Sequence, residues 1–276
     1  MQTIDAMSDI HGMIGPFRHR LEQLNMDEIR AGDAKLILLG DYIDWGTNSL
    51  KVLETIYDLQ QDLAENMIVL MGNHDKWFLN FLHGDDPHWL GNYDSISFLS
   101  QFMSDDDMWK IRRLISRYKQ YMAHDIVRSA FEAYNPKLLP WMKSFPLYYE
   151  TEHQIYVHAG VDEEAEDLWA FGTSDEMFYE KYPPTTGHFY KDIIAGHVST
   201  STASRRRNNH DIYYDGESHF FIDGVDSYPA NTKDDDRIIP LLLYTEERGT
   251  GYYYSISPTG SKKAICEKTI IRSSFH

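Results

Sequence analysis

Apolar positions along this chain follow two rhythms that alternate. Residues 3–7, Leu36 to Leu39 and Met67 to Met71 are runs of strand length, and between them the apolar positions step at helical spacing. Gly15 and Pro16 open the first predicted helix, where proline suits a first turn, and Phe17, Leu21 and Leu24 share one face. Leu50, Leu53, Ile56, Tyr57 and Leu63 mark the second. Residues 76–146 read as mostly helical, and their Trp77, Phe78, Phe81, Phe98, Leu99, Phe102, Trp109, Ile111, Leu114, Ile115, Tyr118 and Tyr121 are expected mainly to pack between helices. The triplet Asp105, Asp106, Asp107 predicts a helix cap with favourable dipole charge.

From Leu147 the pattern is strand-like. Residues 147–149, 155–157 and 192–195 come first, followed by 212–214, 219–222, 238–244 and 252–256. The late series predicts a second sheet packed on the first. An acidic loop, residues 162–167, is expected to be solvated, since so many like charges resist burial. No internal repeat or low-complexity linker divides the chain, so residues 1–276 are expected to form one α/β domain with a helical insertion at about 76–146.

Composition narrows the partners. The 276 residues carry a formal charge of −17. Such acidity argues against a nucleic-acid backbone or an anionic membrane as the main partner. One cysteine, Cys266, excludes an internal disulfide and fits a reducing compartment. With no apolar stretch near the ~18 residues of a membrane span and no leader-like start, a cytoplasmic protein is expected.

Candidate chemistry lies where the apolar runs end. Asp9 and His11 follow the first at alternate positions, so a carboxylate and an imidazole can reach one ion. Asp41 and Asp44 follow the second, on a turn bounded by Gly40 and Gly46, and together need a cation. Asn73, His74 and Asp75 follow the third, His158 the run 155–157, and His197 the run 192–195. In an open α/β sheet ligands sit beyond the carboxyl ends of strands, and every one of these residues is placed there.

The blocks Asp9-Ile10-His11, Gly40-Asp41-Tyr42-Ile43-Asp44-Trp45-Gly46, Gly72-Asn73-His74-Asp75, His158-Ala159-Gly160 and Gly196-His197 resemble, in order, those of the calcineurin-like metallophosphoesterases. They are most similar to the phosphoprotein phosphatase branch, which includes serine/threonine phosphatases and symmetrical diadenosine tetraphosphate hydrolases. The resemblance implies a two-sheet β-sandwich flanked by helices and a dinuclear metal site. Asp9, His11 and Asp41 would hold one ion, with Asp41 bridging to a second held by Asn73, His158 and His197. A mixed oxygen and nitrogen donor set suits manganese, iron or zinc better than calcium. Two such cations lower the pKa of shared water from about 15.7 towards ~7, making solvent the nucleophile. His74 would then protonate the leaving oxygen, with Asp44 orienting its ring.

Departures bear on the substrate, expected to be a phosphorylated protein, a small phosphate ester or a nucleotide. Trp45 stands where the family has an arginine that holds phosphate oxygens, and residues 161–195 contain Lys181 and Lys191 but no arginine. Ser199 stands where many relatives outside this branch carry another ligand histidine. Asn73, Lys76 and Arg205 are the substrate-binding candidates, although an arginine run such as Arg205 to Arg207 is more often a solvated loop. Three functions follow: phosphoric ester hydrolysis, nucleotide phosphoanhydride hydrolysis, and a phosphatase-like binding module without turnover.

Overall fold

A computed structural model of the chain describes residues 3–91, 93–225 and 233–270. The first part alternates strand and helix: β1 (Thr3–Met7), α1 (Ile14–Leu21), α2 (Met26–Ala31), β2 (Ala34–Leu38), α3 (Ser49–Leu63) and β3 (Met67–Val69). Five helices follow, α4 (Asn73–His83), α5 (Tyr93–Leu99), α6 (Asp105–Ile115), α7 (His124–Tyr134) and α8 (Leu138–Met142). Beyond them come β4 (Tyr148–Glu150), β5 (Gln154–Val157), α9 (Trp169–Gly172), α10 (Asp175–Glu180), β6 (Asp192–Ser199), α11 (Thr200–Ser204) and β7 (Tyr213–Tyr214). The remaining strands are β8 (His219–Asp223), β9 (Leu241–Glu247), β10 (Thr250–Ile256) and β11 (Lys262–Thr269).

Two sheets result, ordered β11-β10-β9-β1-β2-β3 and β4-β5-β6-β8-β7. Strands β1, β2 and β3 run parallel, as do β5, β6 and β8, so the loops after them open on one rim. Alternation along each strand builds the layers. Ile4, Ala6, Ile37 and Leu39 meet Tyr156, Ile194, Phe220 and Ile222 between the sheets, whereas Met7, Leu36 and Leu38 face the helices. A separate cluster of Ile155, Val157, Ile193, Trp169 and Phe178 covers the outer face of the second sheet. The α/β sandwich with flanking helices is therefore as the sequence predicts.

Strand partnership is not. Rather than founding the second sheet, the late strands divide: β7 and β8 complete the sheet begun by β4 to β6, while β9 pairs antiparallel with β1 and brings β10 and β11 to the first. Periodicity sets which face a residue takes but not which strand lies beside it. Strand β11 is absent from the predicted series because most of its residues are exposed and half are charged, the dress of a protected edge.

Smaller corrections concern the helices. Helix α6 is capped by Ser104, whose hydroxyl accepts the Asp107 N–H at 3.2 Å, and the three aspartates occupy its first turn. Phe78, Phe81 and Phe98 pack around Trp89 in the core, with Phe131 against Phe78 and Phe98, but Trp109, Tyr118 and Tyr121 are exposed at 60%, 88% and 61%. In the acidic loop Glu163 is half-buried between Lys181 at 3.0 Å and His219 at 3.1 Å. The Lys181 ammonium and a hydrogen bond with His219 offset the burial that like charges alone would forbid. No described helix is long and apolar enough to cross a membrane.

Candidate metal centre

The rim formed by the carboxyl ends of the parallel strands gathers residues from five places in the chain. Asp9 and His11 leave β1, Asp41 leaves β2, Asn73 begins α4, His158 follows β5, and His197 lies in β6 where its pairing with β8 is interrupted. Asp41 Oδ2 is 3.4 Å from His11 Nε2 and 3.5 Å from His158 Nε2, and Asp9 Oδ1 is 3.8 Å from His11 Nε2. Asn73 Oδ1 is 2.9 Å from His158 Nε2 and 3.0 Å from His197 Nδ1. Among the described residues two groups could hold an ion, Asp9, Asp41 and His158 in one and His11, Asp41 and His74 in the other. Asp41 belongs to both, and His74 stands close enough to join the second.

Ring orientation is set from behind. His11 Nδ1 donates to the Ile43 carbonyl at 2.9 Å and His158 Nδ1 donates to the Leu39 carbonyl at 2.8 Å. A carbonyl only accepts, so each Nδ1 carries a proton and each Nε2 is turned towards Asp41. Asp75 ties the loops together, its carboxylate accepting the N–H groups of Asp41 at 2.8 Å, Tyr42 at 3.2 Å and Gly72 at 3.2 Å. The backbone is bent to suit: Asp9, His11, Asp41, Asp44, Trp45 and His197 all have φ between 43° and 67°. Non-glycine residues avoid that region, and strain persists only where the surroundings enforce it. Gly196 is required by close approach, because a Cβ there would lie 2.0 Å from Ser8 Oγ and 2.2 Å from Asp9 Oδ2.

Charge is crowded in a dry place. Burial pushes Asp9 up to about 6 and His11 down to about 3, and burial beside His158 takes His197 down to about 4. Burial also opposes the charge on Asp41, yet His158, His74 and His11 together hold it well below the usual carboxylate range. For His158 burial is outweighed by Asp41 and Asp9, which raise it to about 9. Carboxylates and imidazoles converging with no lysine or arginine ion pair among the described residues fit a bound cation, and the mixed donors fit a transition metal.

The profile of the calcineurin-like phosphoesterase family matches residues 2–221. The chain belongs to that family. Among curated relatives it is similar to the symmetrical bis(5'-nucleosyl)-tetraphosphatase of Legionella pneumophila strain Lens, 34% identical over 37% of this chain and 33% of that protein. The tetraphosphatase of Glaesserella parasuis is 28% identical over 68% of this chain and 54% of its own length. The serine/threonine-protein phosphatase BSL2 of Arabidopsis thaliana is 30% identical over 29% of this chain and 8% of that protein. The matches thus span at most 54% of the length of these relatives. Among solved structures the fold resembles a cold-active protein-tyrosine phosphatase of a psychrophilic Shewanella species, with a TM-score of 0.53 and 16% identity over 96% of this chain and 80% of that one.

In this calcineurin-like chain, His74 lies against the ligand groups. Its Nδ1 is 2.8 Å from Asp44 Oδ2, which also accepts the Trp89 indole N–H at 3.0 Å. Burial disfavours an imidazolium here, but Asp41 and then Asp44 raise His74 to about 9. Asp44 Oδ1 is buried with no hydrogen-bond partner among the described residues. Trp45 stacks on the His11 ring at 4.3 Å and 17°.

The remaining candidates are scattered. Lys76 is half-buried in the first turn of α4, and Arg205 is exposed at the end of α11 with φ 55°; neither has an ion pair or hydrogen bond from its side chain among the described residues. Lys181 donates to the Val161 carbonyl at 2.6 Å and to Glu163, and Lys191 donates to Glu150 at 2.6 Å. Ser199 caps α11, accepting the Thr202 N–H at 3.3 Å. Sequence reasoning missed Trp89 and the clamp made by Asp75. Asp75 was within reach as a carboxylate two residues past Asn73, while nothing local marks Trp89 as a partner of Asp44.

Proposed function

We propose that the chain is a metal-dependent phosphoric ester hydrolase of the serine/threonine phosphatase type, in which His74 is the acid for the leaving oxygen. The supporting observation is the His74–Asp44 contact at 2.8 Å beside two groups of ion-binding side chains that share Asp41. Asp9, His11 and Asp41 would hold one cation, and Asp41, Asn73, His158 and His197 the other, with manganese preferred over iron or zinc. When bound, such cations supply an acidified water and neutralise charge on the phosphoryl oxygens. Asp44 holds the His74 ring through Nδ1, which leaves Nε2 to carry the transferred proton, and Trp89 fixes the Asp44 carboxylate in turn. Asn73 and Lys76 would steady the substrate from the start of α4, and Arg205 is a weaker candidate because it is exposed.

The tetraphosphatase relatives favour a second reading, cleavage of a nucleotide phosphoanhydride. Full-length protein loaded with manganese, assayed on a phosphopeptide, p-nitrophenyl phosphate and a dinucleoside tetraphosphate, separates the two by kcat/KM. Bound metal with no turnover of any of the three would leave only a binding module and defeat both readings.

A further inference from the structure

If His74 hands its proton to the departing oxygen, the groups that wall its ring also touch the leaving group. Those walls are aromatic. Trp45 meets the His74 ring edge-on at 5.6 Å while stacking on His11, and Trp77, one turn along α4, tilts against it at 4.7 Å. Both indoles are half-buried, so each keeps an accessible part. Trp45 is no accident of a loose loop: it holds a φ of 55°, disfavoured for so bulky a residue, and the next N–H, that of Gly46, is bonded to the His11 carbonyl at 2.8 Å.

The group bonded to the Trp77 side of this wall is a carboxylate. The Trp77 indole N–H donates to Glu180, a half-buried carboxylate at the end of α10. The following residue, Lys181, does not compensate, because its ammonium is committed to the Val161 carbonyl and Glu163. An anionic leaving group would therefore meet a poorly screened like charge, whereas a flat neutral ring would meet two indole surfaces.

We propose that Trp45, Trp77 and Glu180 select the leaving group, favouring phosphate esters of planar, uncharged aryl alcohols over anhydrides that release an anionic nucleotide. The selection rests on His74 acting as the acid. It is tested on the metal-loaded full chain with phenyl phosphate, 2-naphthyl phosphate and a dinucleoside tetraphosphate, and by calorimetric titration with phenylphosphonate and methylphosphonate. The expected kcat/KM for the aryl esters exceeds that for the tetraphosphate by about tenfold or more, and phenylphosphonate binds about fivefold tighter than methylphosphonate. Trp77→Leu brings that binding ratio close to one. Glu180→Gln keeps an acceptor for the Trp77 N–H and removes the charge; it raises the tetraphosphate-to-aryl ratio about fivefold. A parent that prefers the tetraphosphate, or a Glu180→Gln protein with an unchanged ratio, would overturn the selection while leaving the hydrolase intact. Absence of turnover on all three substrates would instead remove the hydrolase reading and the selection with it.

Discussion

Two buried polar clusters occupy opposite ends of the same strands and are built on opposite plans. At the amino ends of β5 and β6, Asp192 is answered from within the chain. The Tyr253 hydroxyl donates to one of its oxygens at 2.6 Å, the Lys268 ammonium donates to the other, and Gln154 donates to the Tyr253 oxygen at 3.1 Å. All four residues sit in strands, and none has a positive φ. At the carboxyl ends, Asp9, Asp41 and Asp44 face imidazoles and one another, without a lysine or arginine ion pair among the described residues. There six non-glycine residues are forced into the left-handed region. A cluster that only has to hold sheets together supplies its own counter-charge; one shaped for a ligand leaves the charge open and depends on neighbouring packing to keep its strained loops in place.

Removing the shared carboxylate should break this contrast most severely. Asp41→Asn is expected to lose both ions by metal analysis and to have no measurable esterase activity; retention of two ions per chain would show that Asp41 bridges nothing. His74→Asn should keep its metal yet lose about 10²–10⁴-fold in kcat, read at saturating substrate. Trp89→Phe probes the next layer. With the Asp44 carboxylate no longer held, kcat should fall about tenfold with metal content intact, and the pH profile of kcat should move, a change that mere loosening of the helical core would not cause. Tyr253→Phe addresses the other end of the strands. It strips a donor from buried Asp192, so unfolding in urea should show a loss of about 1–3 kcal/mol while kcat stays at the parent value. A drop in kcat there would mean that the two ends are not independent.

The site was legible to the extent that its residues are local. Asp9, Asp41, Asn73, His158 and His197 each end or follow an apolar run, and strand periodicity alone carries such residues to one rim. The Asp44–Trp89 bond was not legible, because it joins residues 45 apart and depends on how the helical segment folds back over the loop after β2. The same limit applies to the sheets. Alternation in β9 gives its faces, but its place beside β1 follows from tertiary packing that no short window contains. Glu163 misled for a related reason: its neighbours in sequence are acidic, whereas its neighbours in space are Lys181 and His219.

The pairing of Thr3 with Thr245 has a kinetic consequence. The strand that delivers Asp9 and His11 finds its antiparallel partner in β9, so the whole segment between them must be looped before that edge closes. Cations that bind only the finished arrangement would then act late, drawing the equilibrium towards the native state by mass action rather than guiding the early steps. Refolding yield would depend on the ion while the initial collapse would not.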